Sequence, residues 1–155
     1  MADTLKTQWP EQAISTINTL IETCKDGEYG FRSAAEAIQD PETQRLFNRY
    51  SEERRGFAAE LQAVVHGAGR EPEDRGSVAG ALHRGWINLK SAVTGKDEHA
   101  VLAAAETGED SAVNAYKEAL EHGELPAEVR PVVERQCARV KAAHDQVRAL
   151  RDRGR

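Results

Sequence analysis

The sequence predicts an all-α protein: a four-helix bundle whose second and third long helices are joined by a crossover carrying a short extra helix. Three observations lead there. Apolar residues make up 39% of the 155 residues and charged residues 30%, yet Val and Ile rarely alternate with polar residues in the period of two that strands need. Ala, the best helix former, is abundant, and only five prolines interrupt the chain. Four stretches of more than 20 residues repeat apolar side chains at spacings of three and four, with turn residues between them. A chain of this length reads as one domain over 1–155, long enough to bury a core.

The first helix is expected over 10–38. Pro10 suits the first helical position, where no backbone bond is lost, and Ile14, Ile17, Ile21, Cys24, Phe31, Ala35 and Ile38 mark its inner face. Asp40-Pro41-Glu42 stops it and opens the second helix, 42–66, with Asp40 as N-cap and Glu42 beside the positive helix end. Leu46, Phe47, Tyr50, Phe57, Leu61 and Val65 form the inner side of that helix, and Gly67 and Gly69 end it. A polar loop over 70–76 leads to a shorter helix over 77–93, opened by Ser77 and closed by Gly95, with Val78, Leu82, Trp86, Leu89 and Val93 in one stripe. Lys96-Asp97 leads into a helix over 98–122. Leu125-Pro126 opens the last, 126–152, which carries Val129, Val133, Cys137, Val140, Val147 and Leu150. A 24-residue helix is about 36 Å long. Only the connection 67–96 can span that length, so the other two join antiparallel neighbours.

Composition excludes several function classes. A net charge of −5 gives no reason to expect a nucleic-acid partner, and the basic end (Arg148, Arg151, Arg153, Arg155) reads as a frayed tail that suits the helix dipole. No run approaches the ~18 apolar residues of a membrane span, and the start lacks the apolar core of a signal peptide, so a soluble cytoplasmic protein is expected. Cys24 and Cys137 have no metal-finger spacing and read as reduced thiols. Ser and Thr show no nucleophile constellation, and no phosphate loop or dinucleotide fingerprint is present. A homodimer is compatible with everything so far.

Gly27-Glu28 and Gly108-Glu109 each fall inside a stretch otherwise suited to helix. A mid-helix Gly costs roughly 1 kcal/mol relative to Ala, so a reason is needed, and close backbone approach beside an inward carboxylate supplies one. The Glu-to-Pro spacing that follows is 13 residues in one hairpin and 17 in the other, a weak internal repeat. Tyr29 and Tyr116 lie on the same two helices and read by default as packing residues, with hydrogen bonds to inward carboxylates as the alternative. His66, His83, His99 and His122 fall at helix ends or on the crossover and read as surface, whereas His144 reads as half-buried.

The chain resembles the ferritin-like bundles, and more closely a bacterial family of uncharacterised ferritin-like four-helix proteins. The resemblance is carried by residues 26–31 (DGEYGF), 52–61 (EERRGFAAEL), 80–90 (GALHRGWINLK) and 140–145 (VKAAHD). In the metal-binding relatives the second and fourth helices each supply Glu-x-x-His. This chain has no such motif on either helix: Arg55 and Lys141 stand where the two histidines would be. Arg cannot ligate, and Lys must first lose its proton. Glu28, Glu52 and Glu109 gathered in a core would repel one another without a cation, and fixed Arg and Lys charges can replace the metal. The resemblance therefore implies a degenerate di-metal centre neutralised by Arg55 and Lys141, no enzymatic activity, no cofactor, and a stress-related or assembly role. One alternative is a metal-dependent oxidase or iron-binding protein that holds iron or manganese on Glu28, Glu52, Glu109 and His144. Another is an interaction module whose crossover surface (Trp86, Trp9, Leu82) binds a partner protein or a second copy.

Overall fold

Caps and breakers set the helix ends much where the sequence places them. In the computed structural model, which describes residues 9–71 and 85–153, the elements are α1 (Glu11–Ala37), α2 (Pro41–Gly67), α3 (Leu89–Thr94), α4 (Glu98–His122) and α5 (Arg130–Arg153). The Asp40 side chain accepts from the Thr43 amide at 3.0 Å and from the Thr43 hydroxyl at 2.7 Å, which satisfies orphan donors at the start of α2. Asp97 caps α4 in the same way through the Ala100 amide, at 3.1 Å.

Two ends differ from the sequence reading. The last helix begins at Arg130 rather than near Pro126, after a turn in which the Val129 and Arg130 amides bond to the Pro126 carbonyl. Pro131 has no N–H to offer the Ala127 carbonyl, so regular helical bonding starts only around it. The extra helix expected over 77–93 occupies Leu89–Thr94, while Ser77, Val78, Leu82 and His83 lie outside the described residues. Trp86 stands in a π-helical turn with Gly85, whose φ of +105° no L side chain adopts comfortably, and residues 87–88 turn the chain into the short helix.

Four long helices pack as a bundle, with α3 in the connecting segment. The three residues 38–40 make α1 and α2 antiparallel neighbours. The Gln39 amide donates to Glu98 at 2.8 Å, and the Thr16 hydroxyl donates to the Gly123 carbonyl at 3.1 Å. Each end of α1 therefore meets the opposite end of α4. It follows that α2 and α4 run in the same direction, so that residues 68 and 97 lie at opposite ends of the bundle. The order is up, down, down, up. Among the described residues, no helix is long and apolar enough to cross a membrane.

The core has two apolar clusters. One gathers Ile17, Ile21, Leu61, Tyr116 and Val133; the other gathers Phe31, Phe47, Trp86, Val101 and Val147. All seven inner positions expected for the first helix are buried, which follows from their helical period. Between the clusters each of the four long helices contributes a buried polar side chain, among them Asp26, Arg54, Glu109 and His144.

Candidate functional site

On α2 the inner stripe runs Phe47, Ser51, Arg54, Ala58, Leu61, Val65, and on α4 it runs Val101, Ala105, Glu109, Ala112, Tyr116. The helical period thus aims a guanidinium and a carboxylate at one another in the bundle centre. The Arg54 Nη1 and Nη2 groups donate to Glu109 Oε1 and Oε2 at 2.6 and 2.5 Å, a bidentate pair with side chains only 1% and 0% exposed. Burial alone would pull the Arg54 guanidinium down; the charge and hydrogen bonds of Glu109 outweigh it and hold the group above its ordinary value. The Phe31 ring lies 5.4 Å from the guanidinium carbon and adds a cation–π contact. Arg54 Nε is buried without a hydrogen-bond partner among the described residues.

The mid-helix glycines explain how an arginine fits there. A Cβ on Gly27 would lie 2.9 Å from Arg54 Nη1 and 3.2 Å from Arg54 Cγ, so that position leaves a notch for the side chain. A Cβ on Gly30 would come within 2.6 Å of the Trp86 ring, and one on Gly108 within 2.2 Å. Gly30 and Gly108 thus form the two walls of a slot that holds the indole. Close approach is the reason the sequence gives for Gly27 and Gly108; the groups that approach are Arg54 and Trp86, which no local pattern links to those positions.

A second polar layer adjoins the pair. The amide of Gln136 donates to Glu60 at 2.8 Å and to the Phe57 carbonyl at 3.4 Å, which turns its oxygen toward Tyr116. The Tyr116 hydroxyl donates to that oxygen at 2.7 Å, so the Cys24 thiol, 3.0 Å away, is the donor to Tyr116. Burial pushes the thiol up to about 11 and raises the Tyr116 phenol well above its usual range. Both cysteines are free thiols; burial also raises Cys137, with Lys117 and Lys141 opposing. A thiol held protonated in this way is a poor nucleophile.

Helix α5 is stitched to its neighbours by ion pairs. Arg135 meets Glu60, Arg139 meets Glu53 at 2.7 Å, and buried Glu106 accepts from Arg148 at 2.9 Å and from Arg151. The basic end of the chain is thus not a frayed tail as far as Arg153; two of its arginines neutralise a buried carboxylate. His144 is 7% exposed, and its ring nitrogens face Asp110 at 2.5 Å and Asp145 at 3.1 Å.

The expected site residues fare unequally. Glu109 is in the centre, but Glu28 is half-buried, and its backbone carbonyl, not its carboxylate, makes the inter-helix bond, accepting from Ser51 at 2.7 Å. Glu52 and Arg55 are 74% and 68% exposed and face each other at 4.0 Å on the surface. Lys141 is exposed as well. The charge network assigned to Arg55 and Lys141 is therefore corrected: Arg54 is the core cation. One residue on a helix turns a side chain by 100°, and the stripe from Phe47 to Leu61 passes through 54, not 55. The charged run 52–55 hid that register, because a charged residue defaults to solvent. Of the two tyrosines, Tyr116 is buried and Tyr29 is 53% exposed.

A pair of metal ions needs several free donors per ion. Here both Glu109 oxygens are taken by Arg54, Glu52 faces solvent, and His144 is held by two aspartates of the α4–α5 seam. Among the described residues, no three His, Cys, Asp or Glu side chains converge as a metal cluster. The residues present do not fit a di-metal centre.

A family model described as a domain of unknown function (DUF2383) matches residues 12–122, which take in α1 except its first residue and all of α2, α3 and α4. No curated protein matches the chain.

Proposed function

The chain belongs to the DUF2383 family, and from that premise we propose that it is a non-enzymatic, ferritin-like bundle whose centre is held by an Arg–Glu pair in place of metal ions. The observation that supports this most is the bidentate Arg54–Glu109 bridge, since it uses both oxygens of the most deeply buried carboxylate among the described residues. The up-down-down-up order, in which residues 68 and 97 lie at opposite ends of the bundle, supports the ferritin-like placement. A buried ion pair is weak support for stability as such, and its best-attested use is to specify one arrangement of packed elements. In this chain it would fix the register of α2 against α4. The role that follows is that of a scaffold or assembly protein, with a stress-related setting as the part that rests on resemblance.

The test is metal addition to chelator-stripped protein. Neither iron(II) nor manganese(II) is expected to bind stoichiometrically or to raise the thermal midpoint. Two equivalents bound tightly per chain, with iron(II) oxidation lost in Glu109→Gln, would sink the reading and restore the oxidase alternative.

The interaction-module reading keeps one specific observation, the exposure of Ile87 (60%) on the crossover and of Tyr29 (53%) on α1. Trp86 cannot anchor a partner in this conformation because it is 4% exposed, and Leu82 lies outside the described residues. Light scattering on wild type and Ile87→Ser tests whether the partner is a second copy. A monomer in both would count against self-association.

A further inference from the structure

We propose that residues 85–94 form a strap that closes the α1–α4 seam over the Arg54–Glu109 pair and opens as a unit while the four long helices stay folded. The strap is held from both sides. Trp86 is wedged between Gly30 of α1 and Gly108 of α4, and its ring stands edge-on to Phe31 at 5.5 Å between centroids. Phe31 in turn lies against the Arg54 guanidinium. The order from outside to centre is therefore indole, phenyl, guanidinium, carboxylate. Leu89 and Ala92 complete the buried anchor points, at 4% and 7% exposure.

Left-handed backbone stands at Gly85 and again at Lys96, just past the strap. Gly85 takes a φ of +105°, and its α-carbon lies so near α4 that a Cβ would meet the Thr107 carbonyl at 2.8 Å. At the other end, Gly95 is followed by Lys96 at a φ of 55°. Helix α4 begins after that, capped by its own Asp97 side chain, and the Asp97 amide donates back to the Ala92 carbonyl at 3.3 Å. The six residues of α3 are too few to hold a helix without their packing. Loss of the three anchors therefore releases the segment together, and no capping bond of a long helix is broken. Local openings of this kind are ordinary in folded proteins and run below the free energy of global unfolding.

The experiment reads wild type first. Hydrogen exchange followed against urea should show amides of 85–94 opening at least ~100-fold more often than those flanking Gly30 and Gly108. In Trp9→Phe, where Trp86 is the remaining indole, emission should shift to the red at urea concentrations that leave helical ellipticity intact. Coincident loss of emission and ellipticity, or exchange of 85–94 only through global unfolding, would overturn the strap. Its cover over the pair is read separately, by exchange of the Arg54 Nε proton with water. Trp86→Ala should speed that exchange at least ~10-fold, as expected when a buried site gains access to solvent; an unchanged rate would show that the indole does not seal the pair. If Trp86→Ala fails to fold, the same proton in wild type at sub-denaturing urea gives the answer, and exchange only through global unfolding overturns the cover.

Discussion

Removal of one member of the Arg54–Glu109 pair gives the sharpest trial of the buried-charge account. The two charges lie at 2.5–2.6 Å between heavy atoms, with side chains 1% and 0% exposed, so neither can turn to water without moving a helix. Two unit charges about 4 Å apart attract by roughly 4 kcal/mol at an effective dielectric of 20. Desolvation costs several kcal/mol per ion. The net worth of the intact pair is thus small, while a lone survivor keeps its desolvation cost and loses its partner. Glu109→Gln or Arg54→Met alone should lower unfolding stability by about 3–5 kcal/mol, and the double variant Arg54→Met/Glu109→Met should recover most of that. Urea unfolding followed by circular dichroism, with both singles and the double in one cycle, gives the coupling energy directly. Single variants within ~1 kcal/mol of wild type would refute the reasoning, because they would place the pair in contact with water.

Three further outcomes follow from the same geometry. Arg55→Ala, Glu52→Ala and Lys141→Ala should each stay within about 0.5 kcal/mol of wild type, since these side chains are exposed; a loss near that of Arg54→Met would reinstate the first assignment. Gly56 sits in the exposed middle of α2 with nothing within 4 Å of an added Cβ, so Gly56→Ala should raise stability by about 0.5–1 kcal/mol in the same urea assay, whereas Gly108→Ala should lower it because its Cβ overlaps Trp86. Cys24 has a folded pKa raised from 9.0 to about 11, so the native state keeps a proton that the unfolded chain releases. The stability tied to this thiol is whole below pH 9 and is lost as pH rises toward 11, at up to about 1.4 kcal/mol per pH unit. A Cys24→Ala variant should show a flatter decline between pH 9 and 10, and an equal slope would show that the thiol titrates normally.

The glycine pairs show how far sequence reasoning reaches. That Gly27 and Gly108 mark places where something comes close was legible, because a glycine inside a good helix carries a known cost. What comes close was not. Arg54 is 27 residues from Gly27, and Trp86 is 22 residues from Gly108; no local pattern links them. Arg54 itself carries a legible signal, a charge at a position on the apolar stripe of α2, whereas the register of Glu-x-x-His points to position 55, one residue off that stripe.

By itself the sequence determined the four long helices, the Asp40 cap, the inner faces and the one connection long enough to cross the bundle. Those features depend on neighbours within a turn or two and on chain length, both written in the primary structure. Only the tertiary structure decided which charges are buried and what neutralises them. An inward arginine is tolerable solely if a carboxylate from another helix reaches it, and Glu109 stands 55 residues away from Arg54 along the chain. The notch at Gly27 and the slot between Gly30 and Gly108 belong to the same level, since each exists only where separate segments pack together.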